Sequence, residues 1–409
     1  MTTLGLETQI LTQTIARDGL AVPISLDAFN RLRVSAPQTI FDSKQTLNNQ
    51  SLTFTTQVTG SGVVDAWSSA RASTTLRVGA AAGTAVRQTR RRLNYQPAKS
   101  QLVFATFVCG TAAGVTKRVG QFDDANGVFL EVRGSALFFV IRSSVSGAPV
   151  DLPIAQAAWN IDQANGTEVL PPLDIGKAQI LVIDYEWLGV GQVRFGFVLD
   201  GVIRWCHAQK NANVLTSVYM STPNGPIRYE ISSSGATAAG DFLETICCSV
   251  SSEGGADPTG FTTAVANTNA KTILTTFVPL IQIRLKTDGL GATVLPDSVQ
   301  VYVSSASDDI EWGLFLNPVL AAGAAAVWNP ASSASAVEFD VAATGTLSSS
   351  EQRLSAGFGR SQVTIAAPNA NSLIALGVVL PSTRDILALC ARSLTGTSNI
   401  RGALTWREL

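Results

Sequence analysis

The stretch from residue 178 to residue 207 constrains the fold of this chain more than any other. Three runs rich in β-branched and aromatic residues follow one another there: 180–187, 193–199 and 202–207. A Gly-Val-Gly sequence separates the first two. Asp200-Gly201 separates the last two and favours a type I′ turn, because both residues tolerate positive φ. The stretch therefore predicts an antiparallel β-meander at the centre of a β-sandwich.

A two-residue turn at Asp200-Gly201 also predicts the register of the last two strands. The expected pairs are Leu199 with Val202, Phe197 with Arg204, Gly196 with Trp205 and Phe195 with Cys206. A glycine opposite a tryptophan fits this register, because the indole can cover the space that the missing side chain leaves.

The amino-acid composition is typical of an all-β chain, and the charges are too few and too balanced to give a strong electrostatic field. Charged residues make up 14% of the 409 residues and the formal net charge is −1, so neither nucleic acid nor an acidic membrane surface is an expected partner. Methionine occurs twice and histidine once, while small and β-branched residues are abundant. The five cysteines lack metal-site spacing, which predicts reduced, buried thiols and no bound metal or cofactor.

Segments rich in the turn-forming residues Gly, Asn, Pro and Ser divide the chain into four parts. They are an arm (1–45), a lectin-like jelly-roll (46–250), a Gly/Ser/Pro-rich linker (251–260) and a second domain (261–409). Strand-like runs recur about every 8 to 12 residues after residue 46, as in sandwiches. The predicted fold is all-β: an antiparallel jelly-roll β-sandwich followed by a second, smaller β-sandwich, with an extended N-terminal arm. Residues 1–19 lack the pattern of a signal peptide, and no run of about 18 apolar residues predicts a membrane span.

The arm is expected to dock on a surface. Pro23 and Pro37 keep it extended, and its isolated apolar residues need something to lie on. The expected docking residues are Leu6, Ile10, Ile24, Phe29, Leu32 and Phe41. Their surface is either a neighbouring subunit or the chain's own domain, and the sequence leaves both open.

Asp184 and Glu186 are the best candidates for catalysis. At i and i+2 of a strand they share a face, about 6.5 to 7 Å apart, as a carboxylate pair for glycoside hydrolysis would. The run resembles the Glu-x-Asp-x-x-Glu strand of laminarinase-like glycosidases, but Gly189 stands where the third acid would be. The lone histidine, His207, has no evident orienting partner. No catalytic residue is therefore assigned, and the chain is expected not to be an enzyme.

Other residues carry competing interpretations. Trp67, Trp159 and Trp187, together with Asp184 and Glu186, are candidate contacts for a glycan or a protein partner, and core packing is the alternative for the tryptophans. The segment 123–127, Asp-Asp-Ala-Asn-Gly, is either a Ca²⁺ loop or a hairpin turn, and Asn-Gly between apolar runs favours the turn. The triplet Arg90-Arg91-Arg92 predicts a solvated or inter-subunit role.

Several segments of the sequence resemble segments of a group of tailed-bacteriophage virion proteins, whose central part is similar to concanavalin-like or laminin-G-like jelly rolls. The segments are DAFNRLRVSAPQTIFDSKQ, GQFDDANGVFLE, ILVIDYEWLGVGQVRFGFVLDG, NVLTSVYMSTPNGPIRYEI and the terminal GALTWREL. The resemblance covers residues 28 to 255 best. It implies a structural component of a particle: a head decoration protein, or a fibre or baseplate-associated protein.

The leading hypothesis is therefore a non-enzymatic virion protein. It would contact other capsid or tail proteins and self-associate as a trimer or another cyclic oligomer. The alternative is a tail fibre or receptor-binding protein that recognises a carbohydrate on the host surface. A glycan-degrading enzyme that uses Asp184 and Glu186 is the third hypothesis.

Overall fold

The computed structural model describes residues 36–235, 240–254, 260–304, 308–321, 323–360, 363–365 and 375–409. Its regular structure there is β-strand, with one 3-10 turn at Gln156–Ala158 and no α-helix in these ranges. The all-β prediction is confirmed. No helix in the described ranges is long and apolar enough to cross a bilayer.

One curled antiparallel sheet contains the first thirteen strands. They are β1 (Gln38–Lys44), β2 (Phe54–Val64), β3 (Thr74–Thr89), β4 (Ser100–Cys109), β5 (Val115–Phe122), β6 (Gly127–Arg133), β7 (Ala136–Ser143), β8 (Val150–Ala155), β9 (Gln179–Tyr185), β10 (Val193–Leu199), β11 (Val202–Gln209), β12 (Ile227–Ser233) and β13 (Asp241–Glu253). The order is β11-β10-β9-β4-β13-β3-β12-β5-β6-β7-β8, with β1 on β13 and β2 on β3.

The long strand β3 belongs to both layers of this curled sheet and connects them. Its first half pairs with β13 through Val78 and Asp241, and its second half pairs with β12 through Gln88 and Arg228. The layers then face each other, with β4 close to β5 and β6 close to β9. This arrangement is a jelly-roll-like sandwich, as the sequence predicts.

Side chains point alternately to the two faces of each strand, so every second side chain lies in a common core between the layers. Phe139 occupies its centre, with ring centroids 4.1 Å from Trp159 and 4.6 Å from Phe195. Phe41 of β1 joins the same core, edge-on to Phe54 at 6.1 Å. Of the two surfaces that the sequence leaves open for Phe41, the structure shows the chain's own domain, because β1 packs on it. The other docking residues, Leu6, Ile10, Ile24, Phe29 and Leu32, lie outside the described residues.

The central meander forms as predicted, with one correction. Asp200 and Gly201 have φ of 53° and 73°, as a type I′ turn requires. Leu199 pairs with Val202, Phe197 with Arg204 and Gly196 with Trp205. Phe195, however, lies opposite His207 rather than Cys206. The register shifts there because Cys206 forms a bulge, and its carbonyl accepts the backbone N–H groups of Ile161 and Asp162 at 3.0 and 3.1 Å.

The rest of the chain forms two further sheets around a second core. The five-stranded sheet contains β14 (Phe261–Ala266), β15 (Lys271–Ile273), β17 (Val294–Val303), β22 (Val363–Ile365) and β26 (Ser398–Glu408). The six-stranded sheet contains β16 (Val278–Leu285), β18 (Asp309–Leu320), β19 (Asn329–Pro330), β20 (Val337–Asp340), β21 (Leu347–Arg360) and β25 (Leu387–Ser393). A small ribbon joins β23 (Val378–Val379) and β24 (Thr383–Arg384). Trp312 and Trp406, both almost fully buried, contribute the largest side chains of this core.

Candidate functional surfaces

The outer face of the meander is the most regular candidate surface. Strand register places Trp205, Gly196, Val182 and Phe104 in one row across β11, β10, β9 and β4. Val182 alternates with core residues of β9 and therefore lies on the outer side of the strand, where its neighbours cover it completely (0% exposed). Trp205 and Phe104 are half-buried, so the row offers partly exposed aromatic surface. Such a face suits contact with a flat partner or a sugar ring.

Asp184 lies on this outer face but is already engaged. Its Oδ2 accepts a hydrogen bond from Arg194 Nε at 3.0 Å and also contacts Arg194 Nη2. The Arg194 guanidinium lies 4.5 Å from the centroid of the Trp205 ring, which holds it against the sheet. Asp184 Oδ1 is buried and has no hydrogen-bond partner within the described residues. A substrate that used Asp184 Oδ2 would have to displace Arg194.

Glu186 does not extend the strand that carries Asp184. Strand β9 ends at Tyr185, and Glu186 enters the following turn, where its N–H donates to Gln192 O at 3.0 Å. Its carbonyl accepts a hydrogen bond from Tyr219 Oη at 3.1 Å. The i, i+2 pair on one continuous strand, on which the glycosidase hypothesis depends, is therefore not formed.

Sequence reasoning missed a different carboxylate near Asp184. Glu253, at the end of β13, has a pKa raised first by burial and then by the charge of Asp184. The two residues are separated by strand β4, so only the pairing of β9, β4 and β13 brings them near each other. The local sequence around either residue does not reveal that Glu253 lies near Asp184, because the two positions are far apart in the chain.

The three candidate tryptophans have different environments. Trp159 is 4% exposed and its Nε1 donates to Ile154 O at 3.1 Å, so its assignment as a surface contact is wrong. Trp187 is half-buried, and its Nε1 donates to Met220 O at 3.0 Å. Trp67 is also half-buried, and its Nε1 donates to Gln45 O at 2.5 Å. The aromatic residue on the open face is instead Trp205, which its position opposite Gly196 could have indicated.

His207 is buried, and none of the hydrogen bonds of its ring to a described residue involves an acid. Its Nδ1 accepts the backbone N–H of Asn160 at 3.3 Å, while its Nε2 makes no hydrogen bond to a described residue. Burial lowers the pKa of His207, which favours the neutral ring.

Arg90, Arg91 and Arg92 each bind a different part of the same chain. The Arg90 guanidinium donates to Glu351 Oε2 at 2.7 Å and lies 3.4 Å from Asp385 Oδ1. The Arg90 carbonyl also accepts the N–H of Val378 at 2.9 Å. The solvated or inter-subunit role expected for Arg90 is therefore corrected: the residue is 9% exposed and joins the first sandwich to the second.

The other two arginines attach elements within the first sandwich. Arg91 donates to Ile40 O and its guanidinium lies 5.5 Å from the centroid of the Phe41 ring. Arg92 forms an ion pair with Asp123. The triplet thus secures β1, the β5–β6 turn and, through Arg90, the second sandwich.

The β5–β6 turn uses its acids internally. Asp123 Oδ1 accepts the backbone N–H groups of Ala125 and Asn126 at 2.7 and 2.8 Å. Asp124 forms an ion pair with Arg228 at 2.9 Å. Phe122 pairs with Gly127, so the hairpin interpretation is confirmed. Across the described ranges, no group of three or more His, Cys, Asp or Glu side chains has the arrangement of a metal site.

An open depression of about 680 Å³ lies where β5, β12 and the β6–β7 turn meet. Its walls carry small and hydroxyl-bearing residues with one guanidinium: Thr111, Thr116, Arg133, Ser135, Ser232, Ser233 and Ser234. None of the described residues that line it is aromatic. The depression can form hydrogen bonds to a polar partner.

No family model matches the chain, and no curated protein matches it. Among solved structures, the chain is similar to the β-glucanase of Bacillus licheniformis, with a TM-score of 0.34 and 9% identity over 55% of this chain and 99% of that one. It is also similar to the carbohydrate recognition domain of Emp47p, with a TM-score of 0.33 and 9% identity over 52% and 96%. A third similar structure is the CBM2 module of the evolved Dit of Lactobacillus casei BL23 phage J-1, with a TM-score of 0.35 and 9% identity over 55% and 100%.

Proposed function

We propose that this protein is a non-enzymatic structural component of a bacteriophage particle that works through protein–protein contacts. Its place would be that of a head decoration protein, or of a fibre or baseplate-associated protein. The resemblance of residues 28 to 255 to virion proteins motivates the proposal. The engagement of Asp184 with Arg194 agrees with a role that needs no reacting group.

The observation that carries the proposal is the open edge of the second sandwich. Strand β21 runs for 14 residues and, within the described residues, pairs only with β18. Phe358 on this edge is 71% exposed. A long, uncovered edge strand is a template for pairing with another chain, and soluble monomers usually protect such edges. A particle subunit instead covers them when it assembles.

A second edge has the same character. Strand β8 ends the large sheet, and its Val150 and Leu152 side chains are both exposed by more than half. Two open edges on opposite sandwiches can each receive a strand from a neighbour. We therefore favour self-association as a trimer or another cyclic oligomer, with other virion proteins as partners.

Deletion of the N-terminal arm tests whether the protein joins the particle through this segment. Removal of residues 1–35 should leave a folded, soluble protein, because β1 and the Phe41 contact remain. We expect this variant to be lost from purified particles when it is produced beside the other virion proteins. The full-length chain serves as the control, and quantitative mass spectrometry of the particles measures both. Full incorporation of the shortened chain would reject the docking role of the arm.

Recognition of a host-surface carbohydrate is the second candidate function. The aromatic row that contains Trp205 and Phe104 favours it, because sugar rings stack on such faces. We expect a glycan array probed with the full chain to show binding with a Kd of about 1 mM or tighter, and Trp205→Ala to abolish it. Trp328→Ala is the matched control, because Trp328 is a half-buried tryptophan of the second sandwich whose ring also carries an arginine, Arg284. Binding that survives Trp205→Ala, or no binding at all, would reject this use of the face.

A further inference from the structure

Lys117 and Asp241 form a buried pair across the first sandwich. Lys117 lies on β5 and is 0% exposed, and Asp241 begins β13 and is 8% exposed. Lys117 Nζ is in direct contact with Asp241 Oδ2. Strands β5 and β13 are not neighbours in the sheet, so this contact joins the two layers of the sandwich rather than two adjacent strands.

The contact does not have the geometry of a hydrogen bond. Lys117 Nζ makes no hydrogen bond to any described residue, although it touches the carboxylate. An ammonium group has three N–H donors, and burial without acceptors for them is strongly unfavourable. An amide nitrogen at the same place would carry no charge and only one N–H donor. The site therefore suits the amide better than it suits the separate ions.

The carboxyl group of Asp241 is held in one orientation by the backbone. Its Oδ1 accepts the N–H of Phe242 at 2.9 Å and its Oδ2 accepts the N–H of Ala112 at 2.8 Å. Gly110 allows this placement, because a Cβ there would lie 1.8 Å from Asp241 Oδ1. When a nucleophile attacks the carboxyl carbon, one oxygen becomes negative and the other leaves. Each oxygen accepts one backbone N–H, so the oxygen that remains keeps a donor that stabilises its charge.

We infer that Lys117 and Asp241 join in an intramolecular isopeptide bond. Transfer of a proton within the pair gives a neutral amine and a carboxylic acid. Lys117 Nζ then attacks Asp241 Cγ, the Nζ–Cγ bond forms, one Cγ–O bond breaks, and the oxygen leaves as water with the two protons lost from nitrogen and acid. The step needs no oxidant or other reactant, and the fixed contact between the reacting groups replaces a chance encounter.

The neighbouring thiol does not compete for the carboxyl carbon. Cys109 lies close enough to Lys117 and Asp241 for their charges to act on it, but burial raises the pKa of its thiol to about 12. The thiol therefore stays protonated near neutral pH, and the thiolate is the reactive form of cysteine. The amine of Lys117 is the nucleophile in contact with Asp241.

Such a bond would staple the two layers of the sandwich. Residues 117 and 241 are far apart in the chain, so the link closes a long loop and keeps the layers together when hydrogen bonds open. This property would suit a protein that carries load in an assembly. The inference itself does not depend on the proposed function, because the reaction requires only the folded chain.

Intact mass spectrometry of the full chain under denaturing conditions tests the inference. The expected mass is lower than the sequence mass by one water, and digestion should yield a branched peptide that joins the segments around residues 117 and 241. Lys117→Met and Asp241→Ala should each restore the full sequence mass of the variant. Lys177→Met is the matched control, because Lys177 forms an exposed pair with Asp174, and it should keep the water loss.

The measurement on the unaltered protein decides even if a variant fails to fold. Loss of one water together with the branched peptide establishes the bond. A folded wild-type chain at its full sequence mass, without a branched peptide, would overturn the inference. Loss of water that persists in Lys117→Met would also overturn it, because the water would then come from another site.

Discussion

Arg90→Met is expected to lower the free energy of unfolding by about 3 kcal/mol or more. The Arg90 guanidinium binds Glu351 and faces Asp385, which is fully buried. Burial already raises the pKa of Asp385, and removal of the cation would leave this carboxyl group without its charge partner. Because both acids belong to the second sandwich, the substitution should also separate the unfolding of the two sandwiches into distinct transitions. Calorimetry measures both effects.

Arg77→Met is the matched control for Arg90→Met. Arg77 pairs with Asp65 at 2.6 Å, but both side chains are substantially exposed. Exposed ion pairs contribute at most about 1 kcal/mol, so the control should unfold nearly as the unaltered protein does. Equal effects of the two substitutions would show that Arg90 is not a structural link between the sandwiches.

Phe139→Ala is expected to cost about 3–5 kcal/mol of folding free energy. The ring is fully buried and stacks between Trp159 and Phe195 at the centre of the first core. Alanine leaves a cavity there and removes both aromatic contacts. Denaturant unfolding, followed by the fluorescence of Trp159 and the other tryptophans, measures the loss.

Phe358→Ala is the corresponding control at the surface. Its ring is exposed on β21, so truncation should change the free energy of unfolding by no more than about 0.5 kcal/mol. A small effect of Phe139→Ala, or one equal to that of Phe358→Ala, would contradict the placement of the core around Phe139.

Local sequence predicts the elements of this fold where the turn chemistry is strong. Asp200-Gly201 fixes a two-residue turn, and the register near that turn follows from it. The prediction becomes wrong at Cys206, five residues beyond Gly201 along β11, because the bulge depends on hydrogen bonds from Ile161 and Asp162. Those donors lie in a loop whose position no local pattern reveals.

The same limit applies to the charged residues. The Arg90-Arg91-Arg92 run gives no sign that its members reach Glu351, Ile40 and Asp123. Trp67, Trp159 and Trp187 are equally plausible surface residues in sequence, and only packing separates the buried Trp159 from the two half-buried rings. Pairings between distant positions, such as Lys117 with Asp241, emerge from the folded topology alone.

Imaging of the purified phage particle tests the central claim most directly. At a resolution that separates β-strands, a non-enzymatic particle component should appear as repeated copies of the two joined sandwiches on the head, fibre or baseplate. The edge strand β21 or β8 should lie against a neighbouring chain. Particles of full composition that contain no copy of this chain would contradict the account, as would copies whose outer meander face holds a glycan being cleaved beside Asp184.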